Sequence, residues 1–390
     1  MSEKARLNVG MVGYAFMGKA HSHAWMTAPR FFDLPREVGM TALCGRNGER
    51  TAAAAANLGW SSIETDWHEL IARDDIDLID ICTPGDSHAE IAIAALRAGK
   101  HVLCEKPLAN TVAEAEAMSA AATEAAKHGV LSMVGFTNRR VPAIALARKM
   151  IAAGRLGVIR QVRASYQQDW IVDPLVPLAW RLQKDRAGSG SLGDIGAHIA
   201  DLAQFLLGDR IVATSGTLET FIKTRPIQAD GTGLAGAKAG EGFGEVTVDD
   251  AAWFLGRFAG GAVGSFEATR FATGRKNALT IEVNGADGSL VWNLEDLNVL
   301  HYYDNHLPAV EAGFRRILAT EPDTPYYSAW WPAGHTIGWE HGFIHQVYDL
   351  VTAIAAGEQP TPSFADGLYV QKVLDAVERS SASRSTWLDV

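Results

Sequence analysis

The chain has 390 residues, 47% of them hydrophobic and 21% charged, with a formal net charge of -10. That length exceeds one ordinary domain and suits two, with ample apolar material for real cores. An acidic balance without a long Lys/Arg run argues against a phosphate-backbone binder, so nucleic acid is not an expected partner. No stretch approaches the roughly 20 apolar residues that span a bilayer, so no membrane partner is expected either.

The first apolar run, over residues 7–12, reads as a strand. It leads into Gly13-Tyr14-Ala15-Phe16-Met17-Gly18 and then a helical stretch through His21 and Trp25. Strand, glycine turn and helix start together form the setting in which backbone N–H groups receive a pyrophosphate. Ala15 stands where the G-x-G-x-x-G pattern has its middle glycine, and it adds one methyl group at the point of closest approach. The same N-terminal run is broken by a glycine, so it lacks the apolar core of a signal peptide. Cys44, Cys82 and Cys104 each fall near the end of a predicted buried strand. Their spacing fits neither a disulfide framework nor a zinc motif, which points to core thiols in a reducing, cytoplasmic setting.

A second strand over 40–44 ends in Gly45-Arg46-Asn47, and an Ala-rich helix follows. This strand end usually carries the acid that grips the adenosine ribose. Here Arg46 and Arg50 stand instead, able either to accept a 2′-phosphate or to lie solvated at a helix start, so both NAD and NADP stay open. Asp66 caps a helix over 67–72, and a strand over 78–82 ends in Thr83-Pro84-Gly85-Asp86-Ser87-His88. A strand over 101–103 stops at Cys104-Glu105-Lys106-Pro107, and Thr111-Val112-Ala113-Glu114 is a capping box opening a long helix. A further strand over 130–135 completes an alternation that specifies a doubly wound parallel sheet, a Rossmann-type α/β domain over 1–137. Lys106, at a strand end, can direct a cation at a substrate oxygen, with Glu105 available to hold the ammonium; alternatively it is a surface turn residue.

Beyond a helix over 141–153 and a strand over 158–166 the texture changes. Longer alternating segments at 253–258, 262–269, 279–283 and 289–292 predict an α+β domain, 138–390, with a large, mostly antiparallel open sheet. Gly260-Gly261 reads as a hairpin turn. The glycine-rich stretch 229–244 reads as a flexible loop. Two late helices, over 338–356 and 367–379, bracket Pro360-Thr361-Pro362.

Gly188-Ser189-Gly190-Ser191-Leu192-Gly193 reads as a flexible lead to a helix beginning near Asp194, which puts Asp194 and His198 on one face. A His beside a carboxylate, with a Lys from another loop, is what alcohol oxidation needs: a base for the hydroxyl proton, an orienting group and a stabiliser of the alkoxide. The pair is equally a capping Asp with a satisfied His. Zinc ligation, also open to His341 and His345, is disfavoured because no compact three-ligand set forms, and no metal is expected. Gln168, Asp169 and Trp170, then Trp180 and Arg181, offer ring faces with adjacent polar groups that suit a sugar, or else are core and interface residues.

The glycine turn, Thr83-Pro84 with His88, Glu105-Lys106-Pro107, Asp194 with His198, and Pro362-Ser363-Phe364-Ala365-Asp366-Gly367 together resemble the glucose-fructose oxidoreductase, inositol dehydrogenase and rhizopine catabolism (Gfo/Idh/MocA) family. The resemblance runs along essentially the whole chain. It implies an NAD- or NADP-dependent dehydrogenase of sugars, anhydrosugars or cyclitols, assembled as a homodimer or homotetramer through the C-terminal sheet. Lys106, Asp194 and His198 would be catalytic. The cofactor would lie on Gly13, Ala15, Phe16, Met17, Gly18, Gly45, Arg46, Thr83, Pro84, His88, Glu105 and Lys106, and the substrate on Lys106, Gln168, Trp170, Trp180, Arg181, Asp194 and His198. Within the family, Gln168-Asp169-Trp170, Trp180-Arg181 and the glycine-rich insertion look most like members that oxidise the C3 hydroxyl of a pyranose. Asp86 departs from the Asn of many members. Two other readings are a redox-neutral enzyme that keeps NAD bound while processing a glycoside, and a non-catalytic dinucleotide-binding regulator.

Overall fold

The computed structural model describes residues 4–230 and 238–390. The first strands and helices are Arg6–Val12 (β1), Phe16–Phe31 (α1), Glu37–Cys44 (β2), Gly48–Leu58 (α2), Ser62–Glu64 (β3), Trp67–Ala72 (α3), Leu78–Ile81 (β4), His88–Arg97 (α4), His101–Cys104 (β5), Val112–Ala126 (α5) and Ser132–Val134 (β6). Pro142–Ala152 (α6), Ile159–Gln167 (β7), Lys184–Ala187 (α7), Ala197–Leu207 (α8), Ile211–Glu219 (β8), Thr224–Asp230 (β9), Lys238–Glu245 (β10), Ala251–Phe258 (β11) and Val263–Thr269 (β12) follow. The chain closes with Ala278–Gly285 (β13), Gly288–Asn293 (β14), Val299–Asp304 (β15), Arg315–Leu318 (β16), His341–Ala356 (α9), Phe364–Ala382 (α10) and Leu388–Asp389 (β17). Two compact units result, one of residues 4–137 with 340–371, the other of 138–230 with 238–339 and 372–390.

The first unit is a parallel six-stranded sheet in the order β3-β2-β1-β4-β5-β6. Its central strands are buried on both faces, which is why β1, β4 and β5 read as mostly apolar runs rather than alternating ones, Asp80 being the buried exception in β4. The helices start where the sequence supplies caps. Asn47 accepts the Arg50 N–H, Asp66 the His68 N–H, and Thr111 with Glu114 forms the full capping box of α5. The order reverses direction between β1 and β4, and such switch points are where open parallel sheets leave a crevice at their carboxyl ends.

The second unit is a nine-stranded sheet, β16-β15-β14-β13-β7-β12-β11-β8-β17, antiparallel except for the β7–β12 pair. Ile144 and Ala147 of α6 and Leu206 of α8 pack on Ile281, Val283, Leu290 and Trp292, covering one face. From Ala252 onward along β11 buried and exposed residues alternate, leaving Trp253, Leu255 and Arg257 outward. Gly261, at φ 94°, makes the turn into β12 as its spacing predicts. The glycine-rich stretch corrects an expectation. Its described part is no loop: 229–230 end β9 and 238–244 lie in β10, paired antiparallel with it through register shifts, while residues 231–237 lie outside the described residues. Cross-strand pairing here overrides the poor strand propensity of glycine.

Candidate functional site

The glycine turn of the first unit is shaped by close approach. A Cβ on Gly13, which sits at φ 95°, would fall 2.8 Å from the Cys82 carbonyl oxygen, and one on Gly18 would fall 2.3 Å from that of Gly13. Only glycine fits either position. Ala15 is the N-cap of α1, its side chain makes no capping hydrogen bond, and the first turn carries no acid. The helix N-terminus therefore keeps its donors and positive dipole end for a ligand, and strand, turn and helix fit a dinucleotide pyrophosphate. Phe16 is exposed and Met17 half-buried at this turn. Gly45 closes the end of β2 against Tyr14, where a Cβ would meet the ring at 2.1 Å, and Arg46 is exposed beside it.

At the end of β5, Glu105 turns inward. Its Oε1 lies 3.0 Å from His21 Nε2, and Oε2 accepts the Lys106 backbone N–H at 3.3 Å. Lys106 is half-buried. His88 is buried, its Nε2 2.9 Å from the Thr83 carbonyl oxygen and its Nδ1 3.0 Å from that of Pro107, so it ties the ends of β4 and β5 together. Pro84 opens the turn into α4. His21, Asp80 and Cys82 are the one trio with metal-ligand spacing among the described residues. Donors already occupy that space. Asp80 receives His21 Nδ1 at 2.9 Å, the Trp25 indole N–H at 2.7 Å and the Cys82 thiol at 3.6 Å, which is a hydrogen-bonded network rather than a metal cage. His341 and His345 belong to no such trio; His345 packs edge-on against Phe32.

In the second unit, Asp249 anchors the approach to α8. Its carboxylate accepts the N–H of Gly190 at 2.7 Å, that of Leu192 at 2.8 Å and the Ser191 hydroxyl at 2.7 Å. The lead expected to be flexible is thus pinned. Nor does an α-helix begin at Asp194: Leu192–Gly196 is a π-turn that passes into α8, a feature that often accompanies functional residues. Asp194 Oδ2 lies 3.1 Å from Nη2 of the buried Arg270, which also donates to the Gly190 carbonyl at 2.7 Å. The Arg270 guanidinium sits 5.5 Å over the Trp170 ring, and that of Arg181 sits 4.3 Å over Trp180. Burial holds Arg181 below its ordinary pKa, with Asp194 opposing and Arg270 adding.

The His198 ring lies 5.8 Å from that of Tyr166, and its Nδ1 is 3.3 Å from the Asn138 side-chain amide. The Tyr166 hydroxyl donates to Asn277 Oδ1 at 2.8 Å, as does Gln168 Nε2, while Gln168 Oε1 accepts the Trp170 indole N–H at 3.0 Å. Burial, with Asp194 adding, pushes the Tyr166 hydroxyl up, so it stays a protonated donor. Gln168, Trp170, Trp180, Arg181, Asp194 and His198 therefore gather in one region of this unit. Asp169 turns away, to the Gly274 N–H and to Lys276 at 2.7 Å. Sequence reasoning missed Asn138, Asn277, Asp249 and Arg270, which bind their partners across 59 to 109 positions. Arg225 was missed as well. Wholly buried on β9, it donates to the carbonyls of Ile171, Asp173 and Val176, clamping the segment that follows Trp170.

Residues 7–136 match the family model described as oxidoreductase family, NAD-binding Rossmann fold, and 144–291 match the GFO/IDH/MocA C-terminal domain. Levoglucosan dehydrogenase of Pseudarthrobacter phenanthrenivorans is 44% identical over 388 residues, 98% of each chain. The chain belongs to the GFO/IDH/MocA oxidoreductase family. Among solved members, an oxidoreductase domain protein from Kribbella flavida is similar over 99% of each chain, at 64% identity and a TM-score of 0.94. A levoglucosan dehydrogenase in complex with NADH and levoglucosan is similar over the same share, at 43% identity and a TM-score of 0.92. The first unit of this GFO/IDH/MocA member is its NAD-binding Rossmann domain, and the second carries the family's C-terminal sheet.

Proposed function

We propose that the chain is a dehydrogenase that oxidises a secondary hydroxyl of a sugar or anhydrosugar, with levoglucosan the first substrate to test and NAD the acceptor. One observation carries this reading beyond the family: His198, Asp194, Gln168 and two Trp-Arg stacks converge in the second unit, an acid–base group beside the aromatic and amide surface a pyranose requires. The likeness to levoglucosan dehydrogenase supports the substrate class, and that of the NADH-bound structure supports NAD over NADP.

When bound, the nicotinamide supplies the hydride acceptor. The chain supplies the proton chemistry. Nδ1 of His198 accepts the Asn138 side-chain N–H, which orients the ring and leaves Nε2 as the nitrogen that exchanges a proton with the substrate hydroxyl. Asp194, fixed by Arg270, orients the reacting group, and the Lys106 ammonium stabilises charge developing on the substrate oxygen. Trp170 and Trp180 offer ring faces to the CH surface of the sugar, with Gln168 and Arg181 for its hydroxyls. A homodimer or homotetramer through the sheet of the second unit belongs to the same reading, supported by outward-facing Trp253, Leu255 and Val263. A cytoplasmic setting is supported by three buried free cysteines.

Lys106→Ala and His198→Ala test the assignment. Each should lower turnover by about 10²- to 10⁴-fold while NADH binding, followed by nicotinamide fluorescence, persists. Near-normal turnover in both variants would end it.

A further inference from the structure

We propose that His21 is a positioning residue for Lys106, acting through Glu105. Its imidazole is wholly buried between two carboxylates: Nδ1 stands 2.9 Å from both Asp80 oxygens, and Nε2 stands 3.0 Å from Glu105 Oε1. A doubly protonated ring satisfies both neighbours with a donor on each side. Burial, the largest single influence, works against that charge, but Asp80 and Cys82 together outweigh it, and the His21 pKa is raised well above its ordinary value.

Burying one cation with two anions does little for stability, because the desolvation penalty matches or exceeds the attraction. What the cluster does fix is location. His21 comes from α1, Asp80 from β4 and Glu105 from the end of β5, so three elements are locked at the point where the chain leaves the sheet. Glu105 packs directly against Gly135, where a Cβ would lie 2.7 Å from its Oε1, so its seat requires a glycine. Its second oxygen takes the Lys106 N–H, and on the far side the Pro107 carbonyl is held by His88. The backbone that carries Lys106 is thereby gripped on both sides by buried histidines. Misplacing a catalytic group by about 1 Å can cost on the order of a hundredfold in rate.

The inference deepens the proposed role of Lys106 and rests on it for its catalytic consequence, so the test has two readouts. His21→Leu and His21→Gln are made in the full chain. Hydrogen exchange of the segment 104–108 should rise about tenfold or more in His21→Leu while exchange in β13 stays unchanged, and Gln, whose amide NH2 still donates to one of the two carboxylates, should restore part of the protection. In steady-state kinetics, His21→Leu should lower kcat by about tenfold or more with the sugar KM and the NADH Kd within about threefold of wild type. Unchanged exchange at 104–108 overturns the proposal, as does a loss of protection spread evenly through the first unit with Gln no better than Leu. If the wild type oxidises no sugar, the functional reading fails while the exchange result still decides whether His21 positions Lys106. Should His21→Leu not fold, Glu105→Gln carries the same two readouts with the volume kept, and normal exchange with normal kcat in that variant overturns the proposal.

Discussion

Replacing Arg270 by Met tests the electrostatics of the second-unit cluster most sharply. The side chain is almost completely buried, and its Nη2 is 3.1 Å from Asp194 Oδ2. At that separation the gross attraction is about 5 kcal/mol with an effective dielectric constant near 20. Asp194 is 28% exposed, so water screens part of it, and desolvation of the guanidinium offsets more. A hydrogen bond to a charged group nets about 1.5–3 kcal/mol. If that orientation is needed in the transition state, kcat/KM for the sugar falls by about 10- to 150-fold. The assay is initial-rate formation of reduced nicotinamide, with the melting temperature recorded to register loss of the bond to the Gly190 carbonyl. Asp194→Asn should produce a comparable fall, and the double variant should be little worse than either single one, since both remove one interaction. A kcat/KM within twofold of wild type for Arg270→Met, or fully additive losses in the double variant, would refute the reasoning.

Arg225→Met frees three carbonyls that bound one guanidinium, so the segment after Trp170 loosens; the sugar KM should rise several-fold with NADH affinity unchanged, measured by steady-state kinetics and fluorescence titration. The three thiols should resist alkylation in the native protein and react together on unfolding, counted by mass spectrometry. Burial, with Asp66 and Glu64 adding, pushes Cys44 from 9.0 up to about 12, and burial raises Cys82 and Cys104 too. An acid with a raised folded pKa binds more protons folded than unfolded, so stability should fall as pH rises from about 9 toward 12; Cys44→Ala should flatten that slope in denaturation curves.

How much of this was legible follows from where each signal lies. The Rossmann sheet announces itself because each strand is a short apolar run closed by local punctuation: Gly13 and Gly59 at positive φ, the Asp66 cap, the Thr111–Glu114 box. The hairpin at Gly260-Gly261 is equally local. Strand β10 was not legible, since its glycine-rich sequence favours a loop and its pairing with β9 arises only in the fold. The π-turn at Leu192–Gly196 likewise depends on Asp249, more than fifty positions away. The His21 network did leave a trace. An aspartate inside the otherwise apolar Leu78-Ile79-Asp80-Ile81-Cys82 must find buried donors, and His21 and Trp25 lie one helical turn apart on the neighbouring helix to provide them. Nothing local marks Arg270 or Asn138.

The central claim is most directly tested by incubating the purified protein with levoglucosan and either NAD or NADP and following the reduced nicotinamide. Reduction of NAD, dependent on levoglucosan or a closely related pyranose and abolished in His198→Ala, is the predicted result. Tight NAD binding with no net reduction by levoglucosan, glucose, myo-inositol or simple pyranosides would contradict the account and favour an enzyme that returns its hydride within each turnover.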